Sequence, residues 1–153
     1  MPDNVGTLRS FILKAKTNTY AAGEGTRETA SRAGAKDYSY ASGDFKYMDS
    51  YVGELDFAGQ EIVWEHDRPI WAMNYYGTAL DPVEGFPEFL FEALRLVPEE
   101  APYRGPRQHN SDKFKYVCSW HGDIHRFHGE EQIVHKGKIV YQLLFHGGSI
   151  QYG

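Results

Sequence analysis

Phe45-Lys46-Tyr47-Met48-Asp49-Ser50-Tyr51-Val52-Gly53 returns later in the chain as Phe114-Lys115-Tyr116-Val117-Cys118-Ser119-Trp120-His121-Gly122. Beyond it the recurrence continues, with Phe57 as Phe127, Gly59 as Gly129, Glu61 as Glu131 and Gly77 as Gly147. A single extra residue near Arg126 keeps the second copy aligned. Between these fixed points the match is one of character: Val63 with Ile133, Arg68 with Lys138, Ile70 with Val140, Trp71 with Tyr141, Met73 with Leu143, Tyr75 with Phe145. Residues 45–77 and 114–147 are therefore two copies of one unit, and the fold is expected to be two related halves.

Within each copy the side chains alternate. Phe45, Tyr47, Asp49 and Tyr51 share one face of a first strand, as do Phe114, Tyr116, Cys118 and Trp120 in the other copy. A second strand sets Glu61 beside Val63, or Glu131 beside Ile133. Hairpin turns are expected at His66-Asp67-Arg68 and Lys136-Gly137-Lys138, the second with glycine where a positive φ is wanted. The third strands direct Trp71, Met73 and Tyr75, or Tyr141, Leu143 and Phe145, to a core. Their other face carries Ile70, Ala72, Asn74 and Tyr76, or Val140, Gln142, Leu144 and His146. That mixed surface fits either a ligand cleft or a face covered by a loop or a dimer partner.

A helix precedes each copy. Leu8, Phe11, Ile12 and Ala15 have helical spacing, with Thr7 as the expected cap and an end near Lys16. Pro87 opens the second helix, which carries Phe89, Leu90, Ala93, Leu94 and Val97 up to Pro98. Residues 17–43 and 98–112 read as long irregular connections; no Walker or dinucleotide fingerprint accompanies Gly23 and Gly25. The expected fold is one α+β domain over residues 1–153, in two pseudo-symmetric α-β-β-β halves with antiparallel sheet and the helices packed on one side.

The 153 residues suffice for one hydrophobic core. Aromatics make up 15%, a load suited to sheets and ring-lined pockets. A formal charge of -5 argues against general binding to nucleic acid or anionic membranes. Cys118 is the only cysteine, so no intramolecular disulfide forms, and no leader or long apolar run is seen. The cytoplasm is the expected compartment.

Candidate chemistry rests on a few polar residues. Asp49 interrupts an aromatic face and, if buried, must be hydrogen-bonded, paired or shifted in pKa. Glu61 and Glu131 occupy equivalent places, where a pseudo-twofold axis would bring two carboxylates together as acid and base, or each pairs with a nearby Arg or Lys. His146 ends the last strand beside Gly147-Gly148, placed to act as acid, base or donor or to pin the strand end. The other late histidines, His121, His125, His128 and His135, match no compact zinc pattern, so no metal or haem site is assigned. Arg32, Lys36, Arg104 and Arg107 would form an anion site between the two connections, or remain solvated. No nucleophile elbow surrounds Ser31, Ser50 or Ser119.

With Ser31-Arg32, Lys36-Asp37, Trp71-Ala72-Met73-Asn74-Tyr75-Tyr76-Gly77, Tyr103-Arg104-Gly105-Pro106 and Phe145-His146-Gly147-Gly148, the chain resembles a bacterial domain family of unknown function over nearly its whole length. Members of that family look like stand-alone proteins of this size or follow an N-terminal helix-turn-helix module, which implies a sensing or interaction role; no helix-turn-helix is read in this chain. The duplicated plan is also similar to effector-binding domains of the gyrase-inhibitor type and to SOUL-type haem binders, with a cleft at the pseudo-axis.

Three functions follow as expectations. The first is a small-molecule-binding, ligand-sensing module whose aromatic cleft at the pseudo-twofold axis draws on Tyr47, Asp49, Trp71, Asn74, Tyr76 and His146, with Glu61 and Glu131, and is closed by Arg32 and Arg104. Trp71 belongs to it only if it faces the cleft. An anionic or aromatic ligand is expected, and no cofactor is named by the residues. The second is a hydrolase or lyase using Asp49, Glu61 or Glu131 with His146. The third is an interaction domain using the aromatic face, with homodimerisation open to it.

Overall fold

The computed structural model describes residues 5–19 and 27–153. Gly23, Gly25 and the rest of 20–26 lie outside the described residues. The elements run α1 (Val5–Thr17), β1 (Arg27–Glu28), β2 (Lys36–Ser42), β3 (Phe45–Gly53), β4 (Asp56–Glu65), β5 (Arg68–Ala79), α2 (Phe86–Leu94), β6 (Gln108–Asn110), β7 (Lys115–Asp123), β8 (Arg126–His135) and β9 (Lys138–Ser149). All nine strands form one sheet in the order β1-β2-β3-β4-β5-β9-β8-β7-β6, and every pairing is antiparallel.

Each half is a meander of hairpins, and the halves join where β5 pairs with β9. In that pairing Tyr75 stands directly opposite its own repeat counterpart Phe145, while Asn74 meets His146 and Tyr76 meets Leu144. The pseudo-twofold axis therefore passes through the Tyr75–Phe145 pair. Equivalent registers recur on both sides: Asp49 faces Glu61 as Cys118 faces Glu131, and Gly59 faces Tyr75 as Gly129 faces Phe145. Even the bulges recur, at Val63/Trp64 and Ile133/Val134. The α+β plan of two related halves with helices on one side is the one read from sequence, with one strand more in each half. β2 and β6 supply these strands, and β1 adds a two-residue edge.

Alternation along the strands separates an inner face from an outer one. Tyr47, Val63, Trp71 and Met73 from the first half, and Tyr116, Ile133, Tyr141 and Leu143 from the second, are completely buried inside. The helices cover this face. Leu8, Phe11, Ile12 and Ala15 of α1 fall on one stripe, with Phe11 against Tyr40 and Phe45. Thr7 lies inside this helix rather than capping it. α2 starts after Gly85 with Pro87 in its first turn and sets Phe89 against Phe114 and Phe86 against Tyr141. Close approach explains why two repeated glycines are kept. A Cβ on Gly59 would lie 2.3 Å from the Tyr75 ring and one on Gly129 2.3 Å from the Phe145 ring, so each ring lies flat over its neighbour's backbone.

Candidate functional site

Beneath the helices five charged side chains are buried: Lys16, Asp49, Glu61, Arg104 and Glu131. Burial of bare charge is costly, so each must find a partner or lose its charge. In the second half Glu131 is fully satisfied. Arg104 donates to its Oε1 from Nε at 3.1 Å and from a terminal nitrogen at 2.7 Å. Tyr141 donates to the same oxygen at 2.6 Å, and Tyr116 donates to Oε2. Burial and the Glu131 charge hold both tyrosines well above the usual phenol range, so they stay protonated donors. The backbone N–H of Gly105 donates to the Tyr116 hydroxyl at 2.9 Å, which locks residues 103–106 over this half.

The first half is less complete. Lys16 pairs with Glu61 Oε1 at 3.0 Å and donates to the Tyr103 carbonyl. Burial pulls the Lys16 ammonium below its ordinary pKa against the attraction of Glu61. Directly across the strand pair stands Asp49, whose Oδ1 accepts from the Tyr75 hydroxyl at 2.7 Å. Burial, then the neighbouring Glu61 charge, push Asp49 up to about 8, against the pull of Tyr75, Arg104 and Lys16. Burial therefore favours the protonated form of this carboxyl. Its counterpart Cys118 stays a thiol, pushed up to about 12 by burial and the Glu131 charge.

Asp49 and Tyr75 lie at the floor of a cavity of about 560 Å³, inside the roughly 300–1,000 Å³ range of small-molecule sites. Tyr38, Tyr51 and Phe57 wall it from the sheet, and Phe86, Leu90, Phe91 and Leu94 wall it from α2. Lys36, Glu54, Glu84 and Glu88 stand around it, and Arg104 closes its inner end. The sheet residues that line it, from β2 to β5, all belong to the first half, with Tyr75 on the axis.

Of the residues singled out from sequence, Lys36, Asp49 and Arg104 line this cavity. Tyr47 and Trp71 are core, the latter with its indole N–H donating to the Ile124 carbonyl at 3.1 Å, so Trp71 does not face the cleft. Glu61 and Glu131 are enclosed beside it and each pairs with a cation, the alternative the sequence left open. Asn74, Tyr76 and His146 lie on the outer face, where Gln60 donates to Asn74 at 2.8 Å and Tyr76 is exposed. Alternation puts them there: each is one residue from an inward-facing position. Arg32 also belongs to the outer side, bound to Ser50 at 2.9 Å, and Ser50 donates to Asp37. His146 therefore shares no cleft with Asp49, Glu61 or Glu131, and an acid–base pair between them is not made. Among the described residues no group of three His, Cys, Asp or Glu side chains could hold a metal ion.

Sequence reasoning missed Tyr38, Phe57, Tyr75 and the α2 wall. Tyr75 had a signal: its counterpart is Phe145, so the repeat differs by one hydroxyl, and that hydroxyl is the one bound to Asp49.

A duplicated α+β sheet with a cleft against the strands of its first half is the class that fold and geometry define. Residues 49–150 match the family described as a domain of unknown function, DUF5680, and the chain belongs to that family. No curated protein and no solved structure matches the chain. Among the described residues no helix is long and apolar enough to cross a membrane.

Proposed function

We propose that this domain binds a small organic molecule in the cleft between α2 and β2–β5, with Asp49 as its polar anchor. The observation that carries the reading is a buried carboxyl, held by the Tyr75 hydroxyl and raised in pKa by burial and the Glu61 charge, lining a cavity walled mainly by aromatic and apolar side chains. A few convergent polar groups among apolar walls are what orient a ligand in such sites, and a strongly shifted buried acid in a cleft is a functional-site candidate. Asp49 accepts from Tyr75 through one oxygen and can present its proton from the other. Of the ligand chemistries expected from sequence, the walls support an aromatic one. Cytoplasmic residence belongs to the same proposal, supported by a single, buried, reduced Cys118.

A thermal-shift screen across aromatic, aliphatic, anionic and cationic metabolites tests the reading. A ligand at a hundred times its Kd stabilises the fold by about 2.7 kcal/mol, and that gain should shrink in Asp49→Asn. Absence of stabilisation by every class would sink the proposal.

A second reading, acid–base catalysis at Asp49, has one observation in its favour: two buried carboxyl groups, Asp49 and Glu61, face each other across β3 and β4, and burial with the Glu61 charge raises the pKa of Asp49. It predicts that a bound ligand is turned over by the wild type and left intact by Asp49→Asn. Recovery of the ligand unchanged from the wild type after long incubation counts against it.

A further inference from the structure

The two halves place the same aromatic trio around the same space, and only one half has that space filled. In the second half the trio is Trp120, Phe127 and Phe145. The Tyr103 ring lies among them: stacked on Phe127 at 3.9 Å and 13°, edge-on to Trp120 at 6.2 Å and tilted to Phe145 at 6.1 Å. The repeat counterparts of the trio are Tyr51, Phe57 and Tyr75, and these three line the first-half cavity. Register confirms the equivalence, since Gly53 faces Phe57 as Gly122 faces Phe127, and Gly59 faces Tyr75 as Gly129 faces Phe145. Tyr103 is thus an occupant, supplied by the chain itself, of the space that stands as a cleft in the first half.

Resting on the binding reading above, we infer that the first-half cleft takes a planar aromatic ring, stacked on Phe57 as Tyr103 stacks on Phe127, and bearing a hydroxyl or amino group that meets Asp49. The substituent follows from what differs between the halves. The cleft offers the Asp49 carboxyl and the Tyr75 hydroxyl, whereas their repeat counterparts in the filled half are Cys118 and Phe145, neither a strong hydrogen-bonding group. A neutral or cationic substituent fits the surroundings better than an anionic one. Glu54, Glu84 and Glu88 stand at the cleft against Lys36, whose ammonium already lies 5.8 Å from the Tyr51 ring, and the Arg104 guanidinium is committed to Glu131. Flat stacking also explains why the ring must be planar: the Tyr75 ring is pressed over Gly59, which leaves Phe57 as the plate.

Calorimetric titration of the full chain with 4-methylphenol, 4-methylcyclohexanol and 4-methylbenzoate decides it. The expected result is one site for 4-methylphenol, with up to about tenfold weaker binding of the cyclohexanol from loss of stacking, weaker binding of the benzoate, and loss of the ring preference in Phe57→Leu. Tyr103→Ala, which vacates the second-half space, should gain a second 4-methylphenol site and recover melting temperature when the phenol is added; Tyr103→Leu, which keeps more of the packing, should gain none. Equal binding of phenol and cyclohexanol, or tightest binding of the benzoate, overturns this inference while leaving the cleft as a binding site. No heat from any of the three probes or from a wider aliphatic set counts against the cleft itself.

Discussion

Asp49 meets Glu61 from β4, Lys16 from α1, Arg104 from the 98–107 segment and Tyr75 from β5, and burial outweighs the two cations. Its carboxyl moves from an ordinary 3.8 when unfolded to about 8 when folded. Between those values folding takes up a proton, so its contribution to stability falls as pH rises through that window and is fully present only below it. The stability of the wild type minus that of Asp49→Asn, measured by urea unfolding at about pH 5 and about pH 8.5, should therefore decrease towards the higher pH; parallel profiles would show that Asp49 ionises normally. Lys16 and Glu61 provide the second test at this scale. Lys16→Met strands Glu61 without its cation and should cost about 3–5 kcal/mol, most of it restored in the double variant Lys16→Met/Glu61→Leu. A double-mutant cycle with no coupling would contradict the pairing. Asp49 was legible because a carboxylate on an aromatic face had a cysteine as its counterpart. Tyr75 was not singled out, since Tyr against Phe reads as conservation of shape and only the folded register shows the hydroxyl reaching Asp49.

Hairpins built on the same plan differ in one turn position. His66 and Asp67 adopt φ of 50° and 65°, and Lys136 and Gly137 adopt 50° and 74°. These are the paired positive values of a two-residue hairpin turn, and glycine meets them without the steric cost of a side chain. Asp67→Gly is expected to stabilise the β4–β5 hairpin by up to about 1 kcal/mol, and Gly137→Ala to destabilise β8–β9 by about 1–2 kcal/mol. Thermal denaturation of both variants checks the pair, and opposite signs would refute the turn assignment. The long strands were readable because inward and outward positions alternate along them and the two copies repeat the pattern, as in Tyr47 and Asp49 of β3 or Trp71, Met73 and Tyr75 of β5. β2 and β6 were hidden inside segments that read as irregular. β2 mixes Lys36, Tyr38 and Tyr40 with Asp37, Ser39 and Ala41, and pairing with β3 rather than an apolar pattern makes it a strand. Missing β2 also meant missing Tyr38 and the wall it forms.

Duplication set the shape of the whole molecule, and the copies differ at the buried pairs Asp49/Cys118 and Tyr75/Phe145. Residues 98–107 tie the halves together: the Tyr103 carbonyl accepts from Lys16 of the first half, while Arg104 binds Glu131 of the second and lies 5.4 Å from the Tyr75 ring. With β5 and β9 also paired along nine positions, the halves should not unfold separately. Calorimetry should give one transition with equal calorimetric and van't Hoff enthalpies, and two resolved transitions would contradict that coupling. The symmetry itself was visible in the repeat; the site's position was not, because Asn74, Tyr76 and His146 differ between the copies as clearly as Asp49 does yet alternate onto the outer face. Divergence marked candidates, and only the strand period sorted them. On the proposed reading the inner cleft at Asp49, and no outer patch, receives a ligand. The most direct measurement is side-chain NMR of isotope-labelled protein titrated with small aromatic probes. Shifts should concentrate at Asp49, Phe57, Tyr75 and Phe86; shifts at Asn74, Tyr76 and His146 instead, or none at the cleft, would contradict it.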